Sequence, residues 1–155
     1  MLDQATILRG LVGERQTAVT GGPAQRPVSQ RSMFTRPPTG CRTLAVTSGT
    51  AALQCAMAAC GVGPGDEVIL PSWTWYSCFN AVVMAGALPV CAEIDESFNL
   101  DPSDIERHIT PATKLIMAVH LQGNPADMDS ILAIARKHRI RVLEDCSQSV
   151  GASYK

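Results

Sequence analysis

Three short stretches of this 155-residue chain carry side chains that could do chemistry together. The first is Val46-Thr47-Ser48-Gly49-Thr50-Ala51-Ala52-Leu53, where hydroxyls at Ser48 and Thr50 flank a glycine as the text turns helical. The first N–H groups of a helix lack backbone partners and carry partial positive charge. Gly49 has no Cβ to hold a ligand away. Such a turn can cup a phosphate; it can equally be an ordinary N-cap, with Ser or Thr satisfying its own helix. The second stretch is Pro71-Ser72-Trp73-Thr74-Trp75-Tyr76-Ser77. The Trp75 indole offers a wide face for stacking, against the plainer alternative that Trp73 and Trp75 are core or interface residues. The third is Glu144-Asp145-Cys146-Ser147-Gln148. A carboxylate at Asp145 would favour a cationic ring nitrogen beside it, or would simply end a strand in solvent or cap the next turn.

The elements around these stretches must bring them together. From Thr43 the chain alternates. Thr43–Val46, Glu67–Leu70, Leu88–Ala92, Leu115–Val119 and Ile140–Leu143 are apolar and partly β-branched, which suits strands. Thr50–Cys60 and Thr74–Met84 suit helices, the second ended by Gly86. Asp101-Pro102 starts a helix to about His108, with Asp at the N-cap, Pro at N1 and Asp104 and Glu106 in the first turn. Asp127–His138 places Met128, Ile131, Leu132 and Ala135 on one face, and its last turn holds Arg136, Lys137 and His138. Alternating strands and helices predict an α/β fold with a mostly parallel sheet. In such sheets ligands bind beyond the carboxyl ends of the strands, where all three stretches fall. A ligand with a phosphate, a flat ring and a basic ring nitrogen would use all of them. A carboxylate that keeps that nitrogen cationic makes the ring an electron sink, the requirement of pyridoxal phosphate.

Composition narrows the classes. At 46% hydrophobic and 17% charged, the chain is that of a globular protein with one modest domain. A net charge of −1 gives no case for nucleic acid or an acidic membrane. The apolar run from Ala81 to Ala92 is too short to span a bilayer and contains Gly86 and Pro89. Cys41, Cys55, Cys60, Cys78, Cys91 and Cys146 form no C-x-x-C pair and are expected to be buried free thiols in a reducing compartment. His108, His120 and His138 lack zinc-ligand spacing. With no basic signal-peptide start, a cytoplasmic location is expected. Residues 1–42 differ from the rest: six arginines meet Asp3 and Glu14, and Gly21-Gly22-Pro23, Pro27, Pro37-Pro38 and Gly40 break the text. A short helix over Ala5–Val12 is expected there, otherwise an irregular segment, with a domain edge near Gly40.

Longer stretches carry a family resemblance. TSGTAALQCAMAACGVGPGDEVILPSWTW, NAVVMAGALPV, FNLDP, TKLIMAVHLQGNPADMD and LEDCSQSVGASYK, in that order, resemble the DegT/DnrJ/EryC1/StrS aminotransferases. These are pyridoxal-phosphate enzymes of fold type I that aminate keto-sugars, commonly nucleotide-linked, as homodimers. The resemblance runs over residues 43–155. It implies part of the three-layer α/β large domain, truncated before the small C-terminal domain. It also implies cofactor contacts: Gly49 and Thr50 on the phosphate, Trp75 on the ring, Asp145 on the ring nitrogen, and Gln148 near the ring hydroxyl. His120 lies near the same edge and is left as structural. The family's Schiff-base lysine follows in an S-F-x-x-x-K-type motif, so the resemblance assigns no catalytic residue to this chain. Lys155 matches a different family lysine, that of G-A-x-Y-K-G. The first forty residues lack the family's usual aromatic and acidic N-terminal helix.

Three rival functions stay open at this point. A dehydratase of the same family has a histidine in place of the lysine. A non-catalytic remnant would act only as a binding module. A nucleotide-binding Rossmann domain is disfavoured, because no G-x-G-x-x-G follows the first strand.

Overall fold

The computed structural model describes residues 43–155. The expected helix at Ala5–Val12 and the irregular segment 1–42 lie outside these residues. The described elements are α1 (Gly49–Ala59), β1 (Glu67–Pro71), α2 (Tyr76–Met84), β2 (Leu88–Ala92), α3 (Pro102–Ile105) with a 3-10 turn at Glu106–His108, β3 (Thr113–Val119), a second 3-10 turn at Leu121–Gly123, α4 (Met128–His138) and β4 (Arg141–Asp145).

The strands form one parallel sheet in the order β2-β1-β3-β4. Its central strands are apolar on both faces, as a sheet covered on both sides must be. Val68, Leu70, Leu115, Met117, Val119 and Leu143 point to one face and pack with Leu53, Met57, Cys78 and Val82 from α1 and α2. Ile69, Ile116 and Ala118 point to the other and pack with Ile105 of α3 and Met128, Ile131 and Ala135 of α4. The result is three layers with two cores.

Local chemistry sets the helix ends. The Asp101 carboxylate accepts from the Ser103 N–H at 2.8 Å, with Pro102 following at the position that needs no donor. Asp127 caps α4 by accepting from the Ser130 N–H and hydroxyl. α4 stops at Arg139, which turns left-handed at φ 57°.

Three expectations need correction. Thr43–Val46 is not a strand: its residues are exposed, and among the described residues no strand pairs with it. β-branched composition favours a pleated surface but does not supply a neighbouring edge. The second helix begins at Tyr76, not Thr74, because Ser72 still donates to the Ala92 carbonyl and extends the β1–β2 pairing into the loop. Of the five described cysteines, all free, only Cys78 is buried; Cys55 and Cys91 are exposed. Cys91 sits on the edge strand β2, and Cys55 on the outer face of α1, where an apolar neighbourhood in sequence does not become an interior.

Candidate functional site

β1 has neighbours on both sides, and the connections that leave the sheet at β1 and β3 go to opposite faces. After β1 the chain turns into α2 on one face; after β3 it turns into α4 on the other. The strand order reverses at this pair, so their carboxyl ends leave a crevice between the departing loops, the usual ligand position in a parallel sheet. Those loops are Ser72–Trp75 and His120–Asp127.

Two side-chain bonds fix the polarity of the neighbouring elements. Arg141, the first residue of β4, donates to the Cys60 carbonyl at 2.6 Å, so α1 ends at the amino edge of the sheet. The α1 face made by Ala52, Leu53, Ala56 and Met57 is buried. The helix therefore runs along the sheet with its start, Ser48-Gly49-Thr50, toward the carboxyl edge. At that edge the Cys78 thiol, in the first turn of α2, donates to Asp145 Oδ2 at 3.3 Å. Trp75 is one turn away, its carbonyl accepting the Cys78 N–H. The chain thus brings the starts of α1 and α2 and the end of β4 to one side of the sheet.

Each expected site residue has a definite setting. Ser48 is an N-cap, as the plain alternative held: its hydroxyl accepts the Ala51 N–H at 3.1 Å. That bond leaves two donors at the head of an eleven-residue helix, the N–H groups of Gly49 and Thr50, which meet no acceptor among the described residues. Trp75 is 59% exposed, with its ring tilted at 44° to that of Tyr76 and the centroids 5.4 Å apart, so much of the indole is accessible. Asp145 is only 4% exposed. Its Oδ1 accepts both the N–H and the hydroxyl of Ser147, and its Oδ2 accepts the Cys78 thiol. Gln148 Oε1 accepts the Gln122 N–H at 3.0 Å, which turns its amide nitrogen the other way. Gln122 holds a left-handed φ of 52° and Gly123 follows at 84°, a turn that aims the Gln122 N–H at Gln148. These groups fit a phosphate, a flat ring and a ring nitrogen in turn.

Two parts of this edge escaped the sequence. Asn99 is 1% exposed and ties the β3 loop down: its Oδ1 accepts the Leu121 N–H, and its amide donates to the Asn124 carbonyl. His120 does more than fill space. Its N–H donates to the Asp145 carbonyl, its Nε2 meets Glu144 Oε2 at 3.1 Å, and its Nδ1 accepts the Ala126 N–H at 3.0 Å. With Glu144 and Cys146 it forms a His–Glu–Cys group within 4.8 Å, which separation in sequence concealed. Burial works against a charge on His120, while Cys146 and Glu144 beside it work in favour of one. The Ala126 contact is the stronger constraint, since a proton on Nδ1 would set two donors face to face. The ring is then neutral with its proton on Nε2, the nitrogen a metal would need, and the group fails as a metal site.

Comparison with known proteins gives the class. Residues 41–155 match the model of the DegT/DnrJ/EryC1/StrS aminotransferase family. GDP-perosamine synthase of Caulobacter vibrioides is 50% identical over 113 residues, 72% of this chain and 30% of that protein. L-glutamine:2-deoxy-scyllo-inosose aminotransferase of Micromonospora echinospora is 47% identical over 110 residues, 70% of this chain and 26% of its own length. Among solved structures, DesV of S. venezuelae superposes with a TM-score of 0.65 at 45% identity, over 66% of this chain and 28% of that one. NtdA of Bacillus subtilis, with bound cofactor PMP, gives 0.67 at 40% identity, over 68% and 24%.

The chain belongs to the DegT/DnrJ/EryC1/StrS aminotransferase family. It has part of the fold type I α/β architecture, and pyridoxal phosphate is the cofactor of that family. It spans less than a third of the length of these relatives. No helix among the described residues is long and apolar enough to cross a membrane.

Proposed function

We propose that this chain is the cofactor-holding N-terminal part of a pyridoxal-phosphate-dependent aminotransferase that acts on a keto-sugar, commonly nucleotide-linked, with an amino-acid donor. The complete enzyme works as a homodimer in the cytoplasm. The observation that carries the reading is Asp145: a buried carboxylate at a strand's carboxyl end, fixed at both oxygens, whose Cys78 partner is one helical turn from the exposed Trp75. When bound, the cofactor supplies an electron sink for the amino transfer. The Gly49 and Thr50 N–H groups bind its phosphate, Trp75 covers one ring face, Asp145 holds the proton on the ring nitrogen, and the Gln148 amide reaches the ring hydroxyl. The keto-sugar aminotransferase activity is supported by relatives whose names specify sugar or cyclitol amination.

Two of the chain's three lysines are ion-paired, and the third lies away from the carboxyl edge. Lys114 lies near the amino end of β3, Lys137 donates to Glu106, and Lys155 is ion-paired with Asp129, whose hydrogen bond raises its pKa and keeps it protonated. We assign the covalent amine of the complete enzyme to none of them.

Pyridoxamine phosphate (PMP) needs no covalent link, so it tests the cup alone. Titrated into the chain, PMP should quench the fluorescence of Trp75, and inorganic phosphate should compete. Asp145→Asn removes a charge-assisted hydrogen bond worth about 1.5–3 kcal/mol, so PMP binding should weaken roughly 10- to 100-fold. Circular dichroism checks that the variant folds. A folded Asp145→Asn chain that binds PMP as tightly as the parent refutes the assignment.

A further inference from the structure

The two oxygens of Asp145 are treated differently. Both donors of Ser147 go to Oδ1, while the donor given to Oδ2 is a sulfhydryl. A thiol is a weak donor. An oxygen that faces one keeps more of its negative charge than an oxygen gripped by a hydroxyl and an amide. We propose that Cys78 is a positioning residue for the cofactor: its thiol on Oδ2 sets how strongly Asp145 takes the ring nitrogen.

The geometry leaves little choice of role for this side chain. Cys78 is fully buried in the first turn of α2, against β4. Thr74 Oγ1 lies 3.5 Å from its sulfur. Since the S–H points at Asp145, the Thr74 hydroxyl is the donor in that contact, which makes a directed relay Thr74 to Cys78 to Asp145. Burial, reinforced by the Asp145 charge against the opposing Thr74 bond, pushes the Cys78 thiol up to about 12. It is therefore a donor, not an anion, throughout the working range. The other titratable side chains at this edge are Glu144, Cys146 and His120; His120 is bonded to Glu144 and reaches Asp145 only through its backbone N–H.

This role rests on the cofactor reading above, and the test separates the two. PMP labelled with ¹⁵N in the ring is bound to the parent chain, to Cys78→Ala and to Cys78→Ser, and the ring-nitrogen shift is followed with pH. Removing the thiol concentrates charge on Oδ2 and should raise the ring-nitrogen pKa; a hydroxyl, the stronger donor, should lower it. Each shift should be about 0.5–1 unit, the size an ordinary hydrogen bond supplies. A merely structural role would weaken binding without ordering the three pKa values. Shifts of the same sign in both variants, or none, overturn the role alone. A parent chain that takes no PMP overturns the cofactor reading and this role together. In the cofactor-free chain the ¹³Cβ titration of Cys78 should move to lower pH in Asp145→Asn. An unmoved titration, in a folded variant, also overturns the contact on which the role depends.

Discussion

Removing the Asn99 side chain should loosen the candidate site from behind. Asn99 touches no proposed cofactor contact, yet it anchors the loop that carries Gln122. Its Oδ1 is the acceptor for the Leu121 N–H at 2.9 Å, in surroundings where Leu121 is 5% exposed. Its amide donates to the Asn124 carbonyl at 3.1 Å and to Ser97 Oγ at 3.3 Å. In Asn99→Ala the Leu121 N–H is left buried without an acceptor, and the bond to Asn124 is lost. The first effect costs about 1–3 kcal/mol and the second about 0.5–1.5, so a destabilisation of about 2–4 kcal/mol is expected. That is a large part of the ordinary stability of a small domain. Urea unfolding followed by circular dichroism gives the total. Hydrogen exchange at the Leu121 amide isolates the local part and should quicken by a comparable factor. Asn99→Asp keeps the acceptor for Leu121 but turns a second oxygen toward the Asn124 carbonyl. It should be as damaging at neutral pH and milder in acid, where the carboxyl regains a donor. A loss below about 0.5 kcal/mol for Asn99→Ala, or unchanged exchange at Leu121, would refute this account of how the loop is held.

Two further outcomes can be checked on the same chain. The Glu93 N–H, followed by His108 and Arg107, holds the buried Asp104 carboxyl below the usual carboxylate range. Its folded pKa is depressed, so its contribution is present above the ordinary carboxylate pKa and lost as pH falls through the folded value; Asp104→Asn should flatten the acid side of the stability curve measured by urea titration. Arg139 is exposed and left-handed at the end of α4, so Arg139→Gly should stabilise the chain by about 1 kcal/mol in thermal or urea unfolding, and a loss of stability would contradict the backbone argument.

The parts of the fold that were legible are those whose signals are local. β1, β2, β3 and β4 are short apolar runs between breakers, and their observed bounds fall within two residues of those expected. α4 announces itself at both ends, with Asp127 as cap and basic residues in its last turn, and its buried face is the expected Met128, Ile131 and Ala135. Thr43–Val46 has the same local signature as the true strands and fails because pairing is not a local property. Cys78 shows the same limit in the site. Nothing in its neighbourhood marks it, since its partner lies 67 residues away and meets it only when the first turn of α2 comes to the carboxyl end of β4. Asn99 and His120 are similar: polar residues in ordinary text whose importance is that folding buries them beside backbone donors.

Strand order is the link between the legible and the hidden parts. Alternating strands and helices imply a parallel sheet with right-handed connections, but they do not say which strands are neighbours. Were the order simply sequential, β1-β2-β3-β4, every crossover would lie on one face and no reversal would open between strands. The observed order places β1 beside β3, with β2 outside, so α2 must cover one face and α3 and α4 the other. This single rearrangement has two consequences. It opens the crevice where the Ser72–Trp75 and His120–Asp127 loops part. It also sets the carboxyl end of β4 two strands from that of β1, within reach of Cys78 in the first turn of α2. Trp75 and Asp145, the residues proposed to stack on the ring and to hold its nitrogen, thus owe their place at one edge to the strand order, and they could be named from their types before anything linked them through Cys78.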